Sequence, residues 1–394
     1  MKLAPQQQRA IDMIKAWRRN SASQVFRLFG YAGTGKTTLA KYIAEDCTLP
    51  LFCAFTGKAA YVLRQKGVEA YTIHQLIYLP QERSKLPLKR LEEQLACCDD
   101  EDVKRKEQLE IEIALEQKKL NSPSFKLNPE SMVKGADLII VDEVSMVNEQ
   151  MARDLMSFGV DILVLGDPAQ LPPVFGAGYF INAQPDFMLT EIHRQARENP
   201  IIRLATDIRE RKMPRPDGGM VRAWGSISPE EVLEHEQLLV GKNDTKKATN
   251  FRIRELLRRE SELPVPGDRV VCLRNDHEVG LLNGSIWTVD TCFAGDDRDK
   301  VDLIVMNEDG QYVAVEAHAD PFVNPDPKAQ LPWWIRKEAQ EFDYGYALTC
   351  HKAQGSQWDS VLVFDESSVF GSDRFKWLYT AVTRAAEKLT LVVR

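Results

Sequence analysis

Apolar positions along the chain gather in short runs that end in glycine or acidic residues. Residues 25–30, VFRLFG, pass through a glycine-rich turn into a helical pattern beginning near Lys36. A run this short reads as strand, loop, helix. Residues 137–141, DLIIV, run into Asp142 and Glu143, and residues 161–165, DILVL, run into Gly166 and Asp167. Near-continuous apolar strands closed by polar residues predict a parallel α/β sheet covered on both faces, with ligands at its C-terminal edge.

Between residues 81 and 120 the character changes: 20 of 40 side chains are charged and glycine is absent. Leu88, Leu91 and Leu95, then Leu109, Ile113 and Leu120, recur at helical spacing around the polar stretch 99–102. Two antiparallel helices inserted into the sheet domain are expected, either a wedge or pin or a solvated hairpin. A second α/β region is expected from near Phe187 to the strand at residues 389–392. Short strands at 270–273, 285–289, 301–305 and 312–315, with Gly, Asn and Asp turns, interrupt it and read as a small β-barrel or meander. The expected division is 1–80 with 121–182 as a first domain, 81–120 as the helical insertion, 183–275 with 346–394 as a second domain, and 276–345 as the β insertion. Trp333, Trp334, Phe342 and Tyr344 either line a strand exit beside that insertion or pack it on the second core. Basic clusters at 203–215 and 252–259 either face nucleic acid or form solvated helix faces.

The 394 residues suffice for two or three domains, and 44% hydrophobic with 28% charged residues excludes a disordered or fibrous chain. Lys and Arg number 51 against 58 Asp and Glu, a net charge of −7, so a nucleic-acid partner needs a local basic groove. Seven cysteines without a C-x-x-C pair suit reduced thiols. The polar first nineteen residues and the lack of a long apolar run suggest neither signal peptide nor membrane span, and the expected location is cytosolic.

Residues 30–37, GYAGTGKT, satisfy G-x-x-x-x-G-K-[ST] between strand and helix. Gly30, Gly33 and Gly35 let backbone N–H groups converge on phosphate, Lys36 reaches the β and γ phosphates, and Thr37 is a ligand for Mg²⁺. Asp142 at the end of a neighbouring strand would hold the metal, with Glu143 polarising the attacking water as general base. ATP and Mg²⁺ are the expected cofactors.

With these elements in place the chain resembles the superfamily 1 DNA helicases, in the 5′-to-3′ branch of phage Dda and the RecD proteins. The resemblance is collinear over residues 3–391. Residues 3–10, LAPQQQRA, resemble the adenine-reading Q motif with Gln7 in the glutamine position, and 30–38 are motif I, adding Thr34 and Thr38 to the nucleotide contacts. Residues 55–60, FTGKAA, are similar to motif Ia, and Thr72-Ile73-His74 to the Thr-x-His element after it. DEVSM at 142–146 matches motif II, LGDPAQLPPV at 165–174 motif III, and LTEIHR at 189–194 motif IV. VGKN at 240–243 with Asn250 resembles the next strand and helix, and Asn283-Gly284 the entrance to an inserted β domain. YALTCHKAQG at 346–355 matches motif V, and YTAVTRA at 379–385 motif VI. Two departures stand out: Phe55 occupies the place of a proline, and the charged helices replace a compact β pin. Phe55 either stacks on a base or ends its strand in the core.

The resemblance implies two RecA-like P-loop domains with parallel sheets, a helical insertion in the first and an SH3-like β insertion in the second. It implies Gln170 as a γ-phosphate sensor, Arg194 and Arg384 as arginines reaching across from the second domain, and Gly355 as a further nucleotide contact. Phe55, Thr56, His74, Thr349, His351 and Lys352 would touch single-stranded DNA. The implied activity is ATP-dependent unwinding with 5′-to-3′ travel on single strands, by a monomer acting at single-strand/duplex junctions, with a single-strand-binding or replication protein as protein partner and no membrane. Rival readings are a translocase that strips bound proteins, the motor subunit of a RecD-like exonuclease complex, and a nucleotide-switched DNA-binding module.

Overall fold

The computed structural model describes the chain except residues 1–2, 21–22, 82–85, 99–102, 122–123, 173–177, 193–197, 277–278, 296, 298, 325–332 and 337. Arg194 and the side chains of Trp333 and Trp334 lie outside the described residues.

Strands β1 (Val25–Gly30), β2 (Pro50–Ala54), β3 (Ala70–Thr72), β6 (Leu138–Asp142), β7 (Ile162–Gly166) and β8 (Phe187–Leu189) form one sheet in the order β3-β2-β6-β7-β1-β8. All its pairings are parallel. Strand side chains alternate between faces, and both faces are covered. Leu138, Ile140, Leu163 and Leu165 enter a core with Ile11, Ile14 and Leu39 from the helices Pro5–Asn20 and Lys36–Ala44. Ile139, Val141, Ile162 and Val164 enter the opposite core with Met151 and Leu155 from the helix Glu149–Met156. Each such side chain contributes about 1.5–3 kcal/mol on burial, which outweighs the weak helix preference of the β-branched residues. Because β1, β7 and β6 are neighbours and run the same way, Gly30, Gly166 and Asp142 end on one sheet edge.

The insertion stands on a ribbon that the sequence reading lacks. Strand β4 (Tyr78–Gln81) pairs antiparallel with β5 (Ser124–Leu127), and the helices Leu86–Ala96 and Val103–Asn121 between them pack on each other. Leu88, Leu91 and Leu95 are the half-buried positions of the first helix, and Leu109 is buried on the second.

The second parallel sheet has the order β16-β10-β17-β18-β9, from β9 (Val221–Ala223), β10 (Gln237–Val240), β16 (Ala347–Thr349), β17 (Trp358–Phe364) and β18 (Ala385–Val393). The third is antiparallel, β14-β13-β12-β11-β15, from β11 (Arg269–Cys272), β12 (Ile286–Ala294), β13 (Lys300–Met306), β14 (Tyr312–His318) and β15 (Phe342–Tyr344). Val270, Trp287 and Phe342 of the third sheet share a core with Leu238, Leu362 and Val392 of the second. Phe342 and Tyr344 are fully buried, so the packing alternative holds for these two rings.

The α/β class with helical and β insertions is as expected, with two differences in strand membership. The strand Phe187–Leu189, expected to open the second region, pairs with β1 as the edge of the first sheet. Arg269–Cys272, read as the first short strand of the β insertion although the expected boundary fell after it at 275, pairs with β12 and β15 in the antiparallel sheet. Among the described residues no helix is long and apolar enough to cross a membrane. All seven cysteines are free thiols.

The root of the third sheet is held by a buried charge cluster. Asp268, fully buried, accepts from Arg254 Nε at 3.3 Å, Arg259 Nη1 at 2.6 Å, the Tyr346 hydroxyl at 2.7 Å and Val265 N at 2.8 Å. Asp268→Asn keeps the shape but strips the counter-charge from buried Arg254, and stability is expected to fall by about 3 kcal/mol. Denaturant unfolding checks this, an unchanged midpoint being the contrary result.

Candidate functional site

The turn after β1 is shaped by glycine. A Cβ at Gly30 would lie 2.7 Å from Thr34 Oγ1 and 2.8 Å from Leu189 Cβ, so only hydrogen fits. Gly33 and Gly35 have φ of 77° and 79°, the left-handed region open to glycine, which turns the chain into the helix Lys36–Ala44. Lys36 Nζ donates to the carbonyls of Gly30 at 2.6 Å and Tyr31 at 3.2 Å. Thr37 Oγ1 donates to Asp142 Oδ2 at 3.0 Å, joining loop to strand end. Buried Gln7 donates from Nε2 to Thr34 O at 3.4 Å, while Thr38 is exposed. Gln6, unassigned by sequence reasoning, accepts from Thr190 N at 3.0 Å and Glu191 N at 2.8 Å, tying the first helix to the motif IV segment.

The acidic pair is strained and electrostatically loaded. Burial, then the neighbouring Glu143 charge, push the Asp142 carboxyl above its ordinary range, against the pull of Glu143 N–H, Lys36 and Thr37. Glu143 has φ 52° and ψ 48°, a left-handed conformation that costs a non-glycine residue about 1 kcal/mol or more. Thr37 and Asp142 offer hard oxygen ligands of the kind magnesium takes alongside phosphate and water. Among the described residues no group of three or more His, Cys, Asp or Glu forms a self-sufficient metal cage.

Residues of the helices Arg374–Val382 and Pro200–Arg209, which pack on the second sheet, and of the turn after β16 reach this edge. The Tyr379 hydroxyl donates to Asp167 Oδ2 at 2.7 Å and accepts from Ala32 N at 2.8 Å. Thr380 Oγ1 accepts from Leu171 N at 2.8 Å, and Gln354 Nε2 donates to Leu171 O at 2.9 Å. The Arg209 guanidinium lies 3.7 Å from the Tyr31 ring centroid. Asp167 is buried, and desolvation pushes its carboxyl up. Both Asp167 and Tyr379 stood inside quoted motifs, yet nothing local indicated that they meet. Gln170 lies in the turn after β7, its N–H on Asp167 O at 3.2 Å. Arg384 is buried and turned onto its own domain, donating to Thr380 O at 3.2 Å and Ser356 O at 3.1 Å.

A second seam between the two halves lies at Thr56 and Gly355. Thr56 caps the helix Gly57–Gln65, its hydroxyl accepting from Ala59 N at 3.1 Å. Gly355, expected as a nucleotide contact, sits against this cap: a Cβ there would be 3.0 Å from Ala59 Cβ and 3.1 Å from Thr56 Oγ1. Thr349 Oγ1 accepts from Lys352 N at 3.4 Å, and the Lys352 ammonium reaches the Asn283 carboxamide of the third-sheet segment. Burial holds the Lys352 ammonium below its ordinary value. His351 lies 5.5 Å from the Phe370 ring, and His74 lies 6.2, 5.5 and 5.2 Å from Phe55, Tyr78 and Phe125. Burial pulls both imidazoles below the ordinary histidine value, which favours their neutral form. Tyr78 and Phe125 escaped the sequence reading because they belong to the unforeseen ribbon, and Phe125 is 43% exposed.

Residues 2–224 match the AAA domain model and residues 344–392 the UvrD-like helicase C-terminal domain model. The ATP-dependent RecD2 DNA helicase of Deinococcus radiodurans is 28% identical over 407 residues, covering 92% of this chain and 46% of that protein. The chain thus spans about half the length of this curated relative. A Bacteroides Pif1 structure bound to single-stranded DNA superposes with TM-score 0.56 and 18% identity, covering 99% of this chain and 92% of the other. Candida albicans Pif1 helicase gives 0.52 and 17%, covering 100% and 95%. These likenesses show the fold of two RecA-like domains, and the matches agree with the superfamily 1, RecD-like resemblance read from the motifs.

Proposed function

The chain belongs to the AAA domain family, and from that premise we propose that it is an ATP-dependent DNA helicase moving 5′ to 3′ on single-stranded DNA. The observation that carries the reading is that the glycine loop and the Thr56 seam both straddle the join of the two halves. Tyr379 and Thr380 reach the loop and Leu171, while Gly355 abuts Thr56. A nucleotide that changes the first contact therefore shifts the second, as alternating cleft closure requires.

In this reading the loop amides and Lys36 bind the phosphates, Gln7 borders the base, and Thr37 with Asp142 would hold Mg²⁺. Held there, the ion would supply charge neutralisation for the phosphates. Glu143 orients and deprotonates the attacking water, and Gln170 registers the γ phosphate. Arg194 and Arg384 complete the charge around the transition state. Phe55, Thr56, His74, Thr349, His351 and Lys352 contact the strand, the neutral imidazoles through stacking and neutral hydrogen bonds. Tyr78 and Phe125 extend the aromatic surface toward the insertion, the candidate wedge.

ATP turnover measured with and without single-stranded DNA tests the reading. Strong stimulation is expected, lost in Lys36→Ala, and turnover indifferent to DNA would contradict it. Phe125→Ala removes one exposed stacking face, worth about 1–3 kcal/mol per base, so single-strand affinity should weaken about fivefold or more. Fluorescence anisotropy with a labelled oligonucleotide measures this, and an unchanged affinity would remove Phe125 from the strand path.

A further inference from the structure

We infer that Tyr379 is a positioning residue that latches the second domain to the glycine loop and yields its place to the nucleotide. The inference rests on the nucleotide-binding reading above and assigns it a regulatory contact. A phenol has one hydrogen to give and lone pairs to accept with, and here both capacities are used across the domain join. The hydrogen goes to Asp167 Oδ2 at 2.7 Å, and a lone pair takes Ala32 N–H at 2.8 Å. Asp167 is fixed by Ala169 N at 3.0 Å, and Tyr379 is 2% exposed on the helix Arg374–Val382, so the hydroxyl has little freedom to point elsewhere.

Ala32 lies within the glycine loop whose amides converge on phosphate. A phosphate oxygen is a charged acceptor, and its hydrogen bond to an amide is about twice as strong as that of a neutral hydroxyl. Phosphate therefore takes the Ala32 N–H from Tyr379, leaving the phenol held by Asp167 alone. The same helix carries Thr380, bonded to Leu171 N, and ends just before Arg384. Exchange at Ala32 thus bears directly on the helix that seats both the Leu171 contact and the arginine. A ligand shifts such an equilibrium only by its differential affinity for the two arrangements, and competition for one N–H supplies that difference.

Tyr379→Phe removes the hydroxyl and keeps the ring in the core. Affinity for a non-hydrolysable ATP analogue, measured without DNA, is expected to rise about three- to tenfold, the worth of one net hydrogen bond. Basal ATP turnover should rise and the DNA-stimulation ratio fall. Thr380→Val, which loosens the same join without touching Ala32, should leave the affinity within about twofold. Equal gains in the two variants would mean general loosening and overturn the latch, as would no gain in Tyr379→Phe when wild type binds the analogue. If wild type itself binds no analogue, the nucleotide reading fails and the latch with it. In wild-type protein, hydrogen exchange at the peptide containing Ala32 must be slow before nucleotide is added, and fast exchange there would overturn the assignment without any variant.

Discussion

Glu143→Gln is expected to lower ATP turnover by about 10³, within the 10²–10⁴ range of a positioned general base, while analogue affinity changes by less than about threefold. The amide matches the carboxylate in shape but cannot take a proton from water. Backbone geometry adds a second, separable expectation. Glu143 sits at φ 52°, where glycine carries no steric penalty, so Glu143→Gly should raise stability by about 1 kcal/mol while abolishing turnover. A more stable yet inactive variant is the signature of strain kept for chemistry. Parallel melting curves and single-turnover kinetics check both halves, and a Glu143→Gln variant that retains turnover would reassign the base.

Arg384→Ala is expected to cost about 10³ or more in kcat, the scale of an arginine that neutralises phosphoryl-transfer charge. In the structure the guanidinium is held by Thr380 O and Ser356 O, so reaching the phosphates requires it to leave these carbonyls as the cleft closes. Lysine keeps the charge but not the planar fork, so Arg384→Lys should not restore the rate. A purely structural arginine gives a different pattern: the melting temperature drops and kcat falls only in proportion to the folded fraction. Measuring kcat, analogue affinity and melting on the same preparations separates the two.

The glycine loop and the acidic strand end were legible because each is local: a short apolar run, then residues whose backbone freedom or charge has a direct use. Contacts made by distant residues were not. Tyr379 meets Asp167 across 212 positions and Ala32 across 347, and no periodicity in either segment encodes the meeting. The strand Phe187–Leu189 shows the same limit at the level of fold. Three apolar residues announce a strand, but its sheet is decided by packing against β1. The ribbon β4–β5 was hidden differently, since Pro80 disfavours a strand reading and the charged helical pattern beyond it dominates the segment. Phe125 and Tyr78, the aromatic neighbours of His74, went unseen with it.

The central claim is directional, ATP-driven strand separation. Its most direct measurement is displacement from two partial duplexes, one with a 5′ and one with a 3′ single-stranded tail, with ATP and Mg²⁺ and with Glu143→Gln alongside. Displacement from the 5′-tailed substrate alone, lost in the variant, is the predicted result. Displacement from the 3′ tail alone, or none from either despite DNA-stimulated hydrolysis, would contradict it.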